Sequence, residues 1–562
     1  MVNNGLLHPQ LKVGNVSSIS ANLLKVNLDY AGSSSATHLQ GSRYGKGEVG
    51  EIVLIEGQQN ITLGRIIEVR LPERERNEIS SSHETDHKIS AIGIVKLLGS
   101  IDLETIKVEA GLSNYPRLGD KVFSATSEFL AKIPQLINVG KENLLKIELG
   151  DITGDVGCKL NVSPEELFGR HCAILGSTGG GKSWTTAKLL QECAKYPKAK
   201  IILIDATSEY RSLPSINTLH YHLGNPINQH DTSLEFKIPP TDFEESDFLA
   251  MFDPSGKVQG PKLREAIKSL RLAWLEPDIF PKGYIVKVNQ PKVLYRKALN
   301  KNKNSSLVDD PNQPFDVSML TRQLVEECCW SNDDSWGAPN NDLGYCSSLL
   351  TRIQAVIYSS SFKSVFSDKQ DLPPLSCVID NFLKSDKQIL RVCCSDVSYE
   401  FYAREIIANV VGRKLLSMSR SEKFRTQPVI VFLDEAHNFL GKRVGSEEHS
   451  IKLNSFELIA KEGRKYGLNI CLATQRPRDI TEGVLSQMGT LLVHRLTNDR
   501  DREIVERACG EIDKSSASFL PNLKQGEVAI VGVSFPIPIT VQIDAPSYPP
   551  KSDGPKLSEC WI

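Results

Sequence analysis

Two kinds of apolar pattern divide the chain. The N-terminal part carries short runs rich in Ile and Val, EVGEIVLIE, TLGRIIEVRL, KISAIGIVKLLG and DKVFSAT, often bounded by Gly, Pro or charged turns. Such runs read as short strands, and their spacing predicts a small β-barrel over about residues 8–160. Between them, PERERNEISSSHETDHK (72–88) is highly polar and reads as a loop or hairpin tip. Further along come continuous apolar runs: CAIL (172–175), IILID (201–205), VIVFL (429–433) and LNICLAT (468–474). Unbroken apolar runs are the mark of strands buried on both faces of a parallel sheet. QILRVCCSDV (388–397) predicts one more, and GEVAIVGVSFPIPITVQI gives two closing strands before a Pro/Ser/Gly-rich tail, 546–562.

A third pattern is helical. WTTAKLLQECAK follows the first buried run and places Thr186, Leu189, Leu190 and Cys193 near one face. KLREAIKSLRLAWLE (262–276) and SLLTRIQAVIYS (348–359) repeat the spacing, the latter through Leu349, Ile353, Val356 and Ile357. They fall in a long interval, 212–385, that interrupts the buried strands and reads as a mainly helical insertion. Within it, 282–306 is Lys-rich with interleaved tyrosines; a solvated linker is the default reading, nucleic-acid contact the sharper one.

Candidate chemistry begins at AILGSTGGGKSWTTAKLL (173–190), where Gly176, Gly181, Lys182 and Ser183 fit G-x-x-x-x-G-K-[ST]. Glycines bring bare backbone N–H groups to a triphosphate, and the helix N-terminus adds positive partial charge. Residues Gly176, Ser177, Thr178, Gly179, Gly180, Gly181, Lys182, Ser183 and Trp184 are the candidate nucleotide cradle. Lys182 would face the β/γ-phosphates and Ser183 would take one place on Mg²⁺. A chance lysine in a Gly/Ser turn is the bland alternative; the strand before and helix after argue against it.

PVIVFLDEAHNF (428–439) runs a buried strand into Asp434 and Glu435 at its carboxyl end, where α/β sheets place ligands. Asp434 can hold the hydration shell of Mg²⁺, and Glu435 can polarise the attacking water. His437 completes the letters DEAH, but too little chain follows for a second helicase lobe, so it reads as incidental. Gln475 ends the run 468–474 and is placed as a γ-phosphate sensor. Arg464, on the turn before that run, and Arg170, in LFGRH, are candidate stabilisers of transferring phosphoryl charge.

GRHCAILGSTGGGKS, IILIDATSEY, VFLDEAHNF and EGRKYGLNICLATQRP, in this order, resemble the HerA family of hexameric DNA-translocating ATPases, relatives of FtsK, over roughly 165–210 and 385–545. Two positions depart from the usual wording: Gly180 in T-G-S-G-K-S, and Ser208 where Gly often precedes Glu-Tyr. The resemblance implies an α/β RecA-like P-loop core of the additional-strand, catalytic-Glu kind over 161–545, a HAS-barrel over 1–160, and the helical insertion. It implies a homo-hexamer with ATP and Mg²⁺ between subunits, duplex DNA in the central channel, and a nuclease or other effector docked on the barrel. Arg464 then matches an arginine finger reaching a neighbour's nucleotide, Arg170 a second arginine, and Asp205, Glu209 and Tyr210 an acid-x-x-x-Glu-Tyr element, with Glu209 near the nucleotide or the neighbouring subunit. Tails such as 546–562 lie along a neighbour in the family, and Trp561 and Ile562 could anchor one.

Composition adds limits. Lys and Arg total 66 against 68 acids, for a net charge of −2, so DNA contact must come from a local lining. Lys442 and Arg443 are candidates for it. The twelve cysteines contain no C-x-x-C pair and read as reduced thiols. The start lacks a secretion signal and no run is long enough to span a bilayer, predicting a cytoplasmic protein without membrane contact. DNA motor, ATP-regulated scaffold for an effector, and coupling ATPase for single strands or protein all keep these residues. DNA end processing and anti-phage defence are both open as settings.

Overall fold

Alternation of apolar and polar residues closes the N-terminal strands on themselves. In the computed structural model, Leu23–Leu28, Lys12–Ile19, Lys121–Ser124, Ile52–Ile55, Asn60–Arg70 and Ala91–Asp102 pair in that order, and the last pairs back onto the first, giving a closed six-stranded antiparallel barrel. Val13, Val16, Val26, Val53, Ile66 and Val95 fill its interior. Closure removes the free edges that an open sheet would offer to other strands.

The structure describes residues 6–28, 37–39, 42–45, 47–71, 91–137, 145–223, 232–301, 303–359, 362, 365–366, 371–397, 400–440, 443–445, 450–508, 518–533 and 535–552. The polar stretch 72–88, Lys442, Trp561 and Ile562 lie outside them.

The chain forms two bodies, one of Met1–Lys195 with Cys471–Pro549, the other of Tyr196–Ile470 with Pro550–Ile562. The first holds the barrel and a sheet ordered Lys159–Val162, Ile147–Ile152, Phe535–Ile543, Glu527–Gly532, Thr490–Val493, Cys172–Leu175 and Leu468–Thr474, the last from Cys471 onward. Cys172–Leu175 is parallel to both its neighbours. Here the expected barrel range of 1–160 needs correction. Ile147–Ile152 and Lys159–Val162 pair with each other and, through Ile147–Ile152, with Phe535–Ile543, so the barrel strands end earlier. Those two strands alternate as barrel strands do, and only a partner distant in sequence assigns them to the other sheet. Arg65 ties the barrel to this sheet: its guanidinium donates to the Pro538 carbonyl at 2.7 Å and lies 4.7 Å from the Phe519 ring centre. Burial lowers its pKa to about 10.

The second body carries an all-parallel sheet ordered Val429–Leu433, Lys200–Asp205, Ile389–Cys393, Thr218–His222 and Leu234–Glu235. Helices Glu245–Phe252, Gly256–Leu275, Leu320–Glu327, Asp342–Tyr358 and Leu375–Lys384 occupy the interval between its strands. On Asp342–Tyr358 the buried face includes Leu349, Ile353, Val356 and Ile357, as the spacing predicts.

The Lys-rich stretch 282–306 is no solvated linker. Ile285 and Ala298 are buried in a cluster with Leu272 and Ala273. Lys287 pairs with Glu327 at 2.6 Å, and Lys301 with Glu276 at 2.6 Å. Acids on flanking helices neutralise these cations while their alkyl stems cover apolar surface, which the local composition does not reveal.

Candidate active site

The phosphate loop starts where Cys172–Leu175 ends. Its shape depends on missing side chains. A Cβ on Gly176 would lie 2.5 Å from the Cβ of His494, and one on Gly181 would lie 3.2 Å from the Cα of Gly526. Gly181 has φ 107, a left-handed value open to glycine, and is the N-cap of the helix Lys182–Ala194. Ser177 closes the loop: its N–H and its hydroxyl both donate to the Arg495 carbonyl, at 3.1 and 2.9 Å. Gly526 N–H donates to the Gly180 carbonyl at 3.2 Å.

Lys182, on the first turn of this helix, is only 6% exposed. Ser183 is half-buried beside it, and Trp184 is exposed on the same turn. Behind them sits His494, fully buried, with Nε2 2.9 Å from the Thr185 hydroxyl. Burial first, and the Lys182 charge second, push its pKa down to about 3, so the imidazole is neutral. Gln475 follows Leu468–Thr474, and the Thr178 hydroxyl donates to its Oε1 at 2.5 Å. The amide is thus fixed against the loop at its own strand's carboxyl end.

In the other body, Val429–Leu433 ends in Asp434 and Glu435. Asp434 is 5% exposed, and Thr207 donates its hydroxyl to Asp434 Oδ2 at 3.5 Å. Glu435 has φ 47, a strained value for a non-glycine residue, of the kind that clusters at functional sites. His437 Nδ1 lies 3.2 Å from Glu435 Oε2, so His437, read as incidental, touches the candidate base.

Asp205 is an organiser, not a free acid. Its carboxylate accepts Arg391 Nε at 2.7 Å and the N–H groups of Glu209 and Tyr210 at 3.2 and 3.3 Å. Arg391 is wholly buried and also donates Nη2 to Ser208 Oγ at 2.8 Å. Ser208 has φ 63, which explains why glycine suits this place; here a serine accepts the strain and gains a charged hydrogen bond. Glu209 is half-buried on the turn and its carbonyl accepts from Lys551 N–H at 2.8 Å.

Each candidate arginine precedes its strand. Arg170 is exposed and precedes Cys172–Leu175, so that strand separates it from the phosphate loop at the strand's other end. Arg464 is exposed on the 3-10 turn Gly463–Tyr466, before its strand, whereas Gln475 follows it. Arg443 is exposed. Sequence reasoning missed His494, Arg391, Thr207 and Gly526. A histidine ending the apolar run TLLV was the one visible hint.

Magnesium nucleotide suits this set. Bare glycine backbone, a buried lysine and a helix-initial serine are donors for phosphate and for a phosphate-bound cation. Among the described residues no group of three or more His, Cys, Asp or Glu is placed to hold a metal. Mg²⁺ takes few protein carboxylates and keeps phosphate and water ligands, so this result does not bear on it. No helix among the described residues is long and apolar enough to cross a membrane.

The family model for the central domain of helicase HerA matches residues 147–313, from the strand Ile147–Ile152 past the loop and into the helical interval. The probable helicase MJECL08 of Methanocaldococcus jannaschii is 25% identical over 477 residues, 83% of this chain and 82% of its own. The DNA double-strand break repair helicase HerA of Pyrococcus furiosus is 23% identical over 481 residues, 80% of this chain and 77% of its own. These matches are to the HerA helicase family. Among solved structures, VirB4 of Thermoanaerobacter pseudethanolicus aligns with a TM-score of 0.46 at 16% identity, covering 73% of this chain and 99% of its own.

Proposed function

We propose that this protein is an ATP-hydrolysing DNA translocase of the HerA type that works as a ring and shares nucleotide gripping and hydrolysis with the helicases it resembles. The observation that carries the reading is the phosphate loop, in which Gly176, Gly180 and Gly181 leave little room for a side chain and Gly179 and Gly181 have positive φ, beside a buried Lys182 at a helix N-terminus. In this reading Lys182 and Ser183 hold the β/γ-phosphates and Mg²⁺. Asp434 orients the metal's water, Glu435 takes the proton of the attacking water, and Gln475 reports on the γ-phosphate. The helical interval is an insertion in a RecA-like core.

Two features support action between subunits. Arg170 and Arg464 are exposed at the amino ends of strands whose carboxyl ends lead to the loop and to Gln475. A cation in that position serves a nucleotide on another copy more readily than its own, which fits a ring, and six copies follow the family. The names of the relatives, as helicases of DNA double-strand break repair, support duplex DNA as the track; a nuclease or other effector docked on the barrel is part of the proposal.

Displacement of a triplex-forming strand from duplex DNA by the purified protein tests this. Displacement that requires ATP and is lost in Glu435→Gln supports the motor. DNA-independent hydrolysis without displacement would replace it with an ATP-regulated scaffold. Mixed rings of Lys182→Ala and Arg464→Ala subunits should regain activity if Arg464 acts across the interface; background activity in rings shown to co-assemble, with linear loss on doping, rejects that assignment.

A further inference from the structure

One surface of the second body is not used by the nucleotide chemistry. From Ile279 to Val308 the sequence holds seven Lys or Arg and no acid. Several of these cations are satisfied locally: Lys287 by Glu327, Lys301 by Glu276, and Lys292 by the Ser331 hydroxyl at 2.8 Å. Lys282, Lys297 and Lys303 are exposed and form no ion pair among the described residues.

The same segment exposes large aliphatic side chains. Val293 and Leu294, on the helix Val293–Asn300, are 68% and 58% exposed. Lys297 follows Val293 by four positions and so shares its face. Leu294 stands at a groove of about 220 Å³ lined by Phe280, Pro281, Ile285, Tyr295 and Trp336, with Lys282 also on its wall. Tyr295 packs edge-on against Trp336 with ring centres 5.2 Å apart, which gives the groove a firm aromatic floor. An apolar slot beside unpaired lysines is the form of a protein-recognition hot spot: a buried anchor supplies affinity and complementary charge supplies steering and register.

We infer that this groove docks a short acidic segment of a partner protein, with a bulky apolar side chain seated against Leu294 and Trp336 and carboxylates meeting Lys282 and Lys297. Nucleic acid fits less well. Phosphates would reward the lysines but gain nothing from Val293 and Leu294, whose burial is the apolar contribution here. The surface is separate from the barrel and independent of the proposed motor activity.

A random 12-residue peptide library displayed on phage, selected on the full-length protein and counter-selected on Leu294→Asp, tests the inference. Enriched sequences should combine Asp or Glu with Leu, Ile, Phe or Trp. An enriched peptide, labelled and titrated by fluorescence anisotropy, should lose at least about 10-fold in affinity with Leu294→Asp. It should lose roughly 3–10-fold with Lys282→Glu and Lys297→Glu together, along with most of its salt dependence. Both variants should keep wild-type melting and ATPase rates, since these side chains are exposed. No acidic-apolar consensus, or equal binding to Leu294→Asp, overturns the inference. So does binding of a 20-base-pair duplex that falls with the lysine changes and ignores Leu294→Asp, which makes the face a nucleic-acid track. A smaller oligomer for Leu294→Asp by light scattering makes it a contact between copies and overturns it too.

Discussion

The phosphate loop and the turn after Lys200–Asp205 solve one problem by opposite means. Each takes the chain sharply away from the carboxyl end of a buried parallel strand. The loop uses four glycines, 176 and 179–181, over a neutral buried histidine. The turn, Asp205 to Tyr210, has no glycine and is shaped by charge: a buried carboxylate, a buried guanidinium and a serine at φ 63. The difference follows from what each presents. A phosphate loop must offer bare N–H groups and one cation, so whatever shapes it must be small or uncharged; a second buried charge would compete with the ligand. The turn gives its N–H groups to its own Asp205, so it can use an ion pair as scaffold.

The largest effect should come from the one charge the loop keeps. Lys182→Ala should lower steady-state phosphate release by roughly 10²–10³-fold or more. Glu435→Gln should bind nucleotide normally and hydrolyse it slowly, because the grip and the base belong to different elements. Wild-type turnover in either variant removes that residue from the mechanism.

Next in size is the turn's ion pair. Arg391→Met leaves Asp205 buried without its guanidinium, and breaking a buried pair from one side costs about 3–5 kcal/mol. Urea unfolding followed by fluorescence reads it. Adding Asp205→Asn should return part of the loss, since the remaining carboxamide carries no charge to strand.

The glycine side of the comparison gives a smaller, steric effect. Gly176→Ala drives a methyl group to 2.5 Å from His494 Cβ and should cost about 1–3 kcal/mol. Gly179→Ala meets nothing within 4 Å, and its φ of 74 alone should cost about 1 kcal/mol. Equal losses at the two positions would show that conformation, not packing on His494, sets the need for glycine.

These residues also mark where the sequence was readable. Cys172–Leu175, Val429–Leu433 and Leu468–Thr474 were legible because burial on both faces leaves unbroken apolar runs, and the loop because its chemistry is local. Arg391 was not legible: a lone arginine in QILRVCC carries no sign of a carboxylate 186 positions away. Lys287 misled for the same reason, since its partner Glu327 lies on another helix. Pairing partners for Ile147–Ile152 were equally remote, because a strand's alternation tells which face is buried and nothing about the neighbour. Local rules find strands, turns and phosphate loops; long-range charge satisfaction and strand order come from the fold.

His494 sharpens the comparison through pH. Its pKa of about 3 lies below the ordinary value of 6.5, so between these limits the unfolded chain takes up a proton that the folded loop refuses. Stability from this group is therefore present above pH 6.5 and is lost as pH falls toward 3. His494→Gln keeps a hydrogen-bonding group near Thr185 and cannot titrate. The difference in unfolding free energy between wild type and variant should shift against wild type by about 2 kcal/mol from pH 7 to 5. A constant difference would mean that the imidazole is not held neutral.

The smallest expected effect tests the turn's own logic. Ser208→Gly relieves a left-handed backbone, worth about 1 kcal/mol, and loses the hydrogen bond from Arg391, worth about 1.5–3 kcal/mol when buried and less at a half-buried hydroxyl. In the wild-type background the two nearly cancel, leaving a loss within about 1 kcal/mol. In the Arg391→Met background the bond is already gone, and only the strain relief remains. There Ser208→Gly should stabilise by about 1 kcal/mol. That change of sign is the measurable quantity, an interaction energy between two side chains 2.8 Å apart. If Ser208→Gly has the same effect in both backgrounds, the guanidinium does not hold the serine, and charge shapes this turn through Asp205 alone.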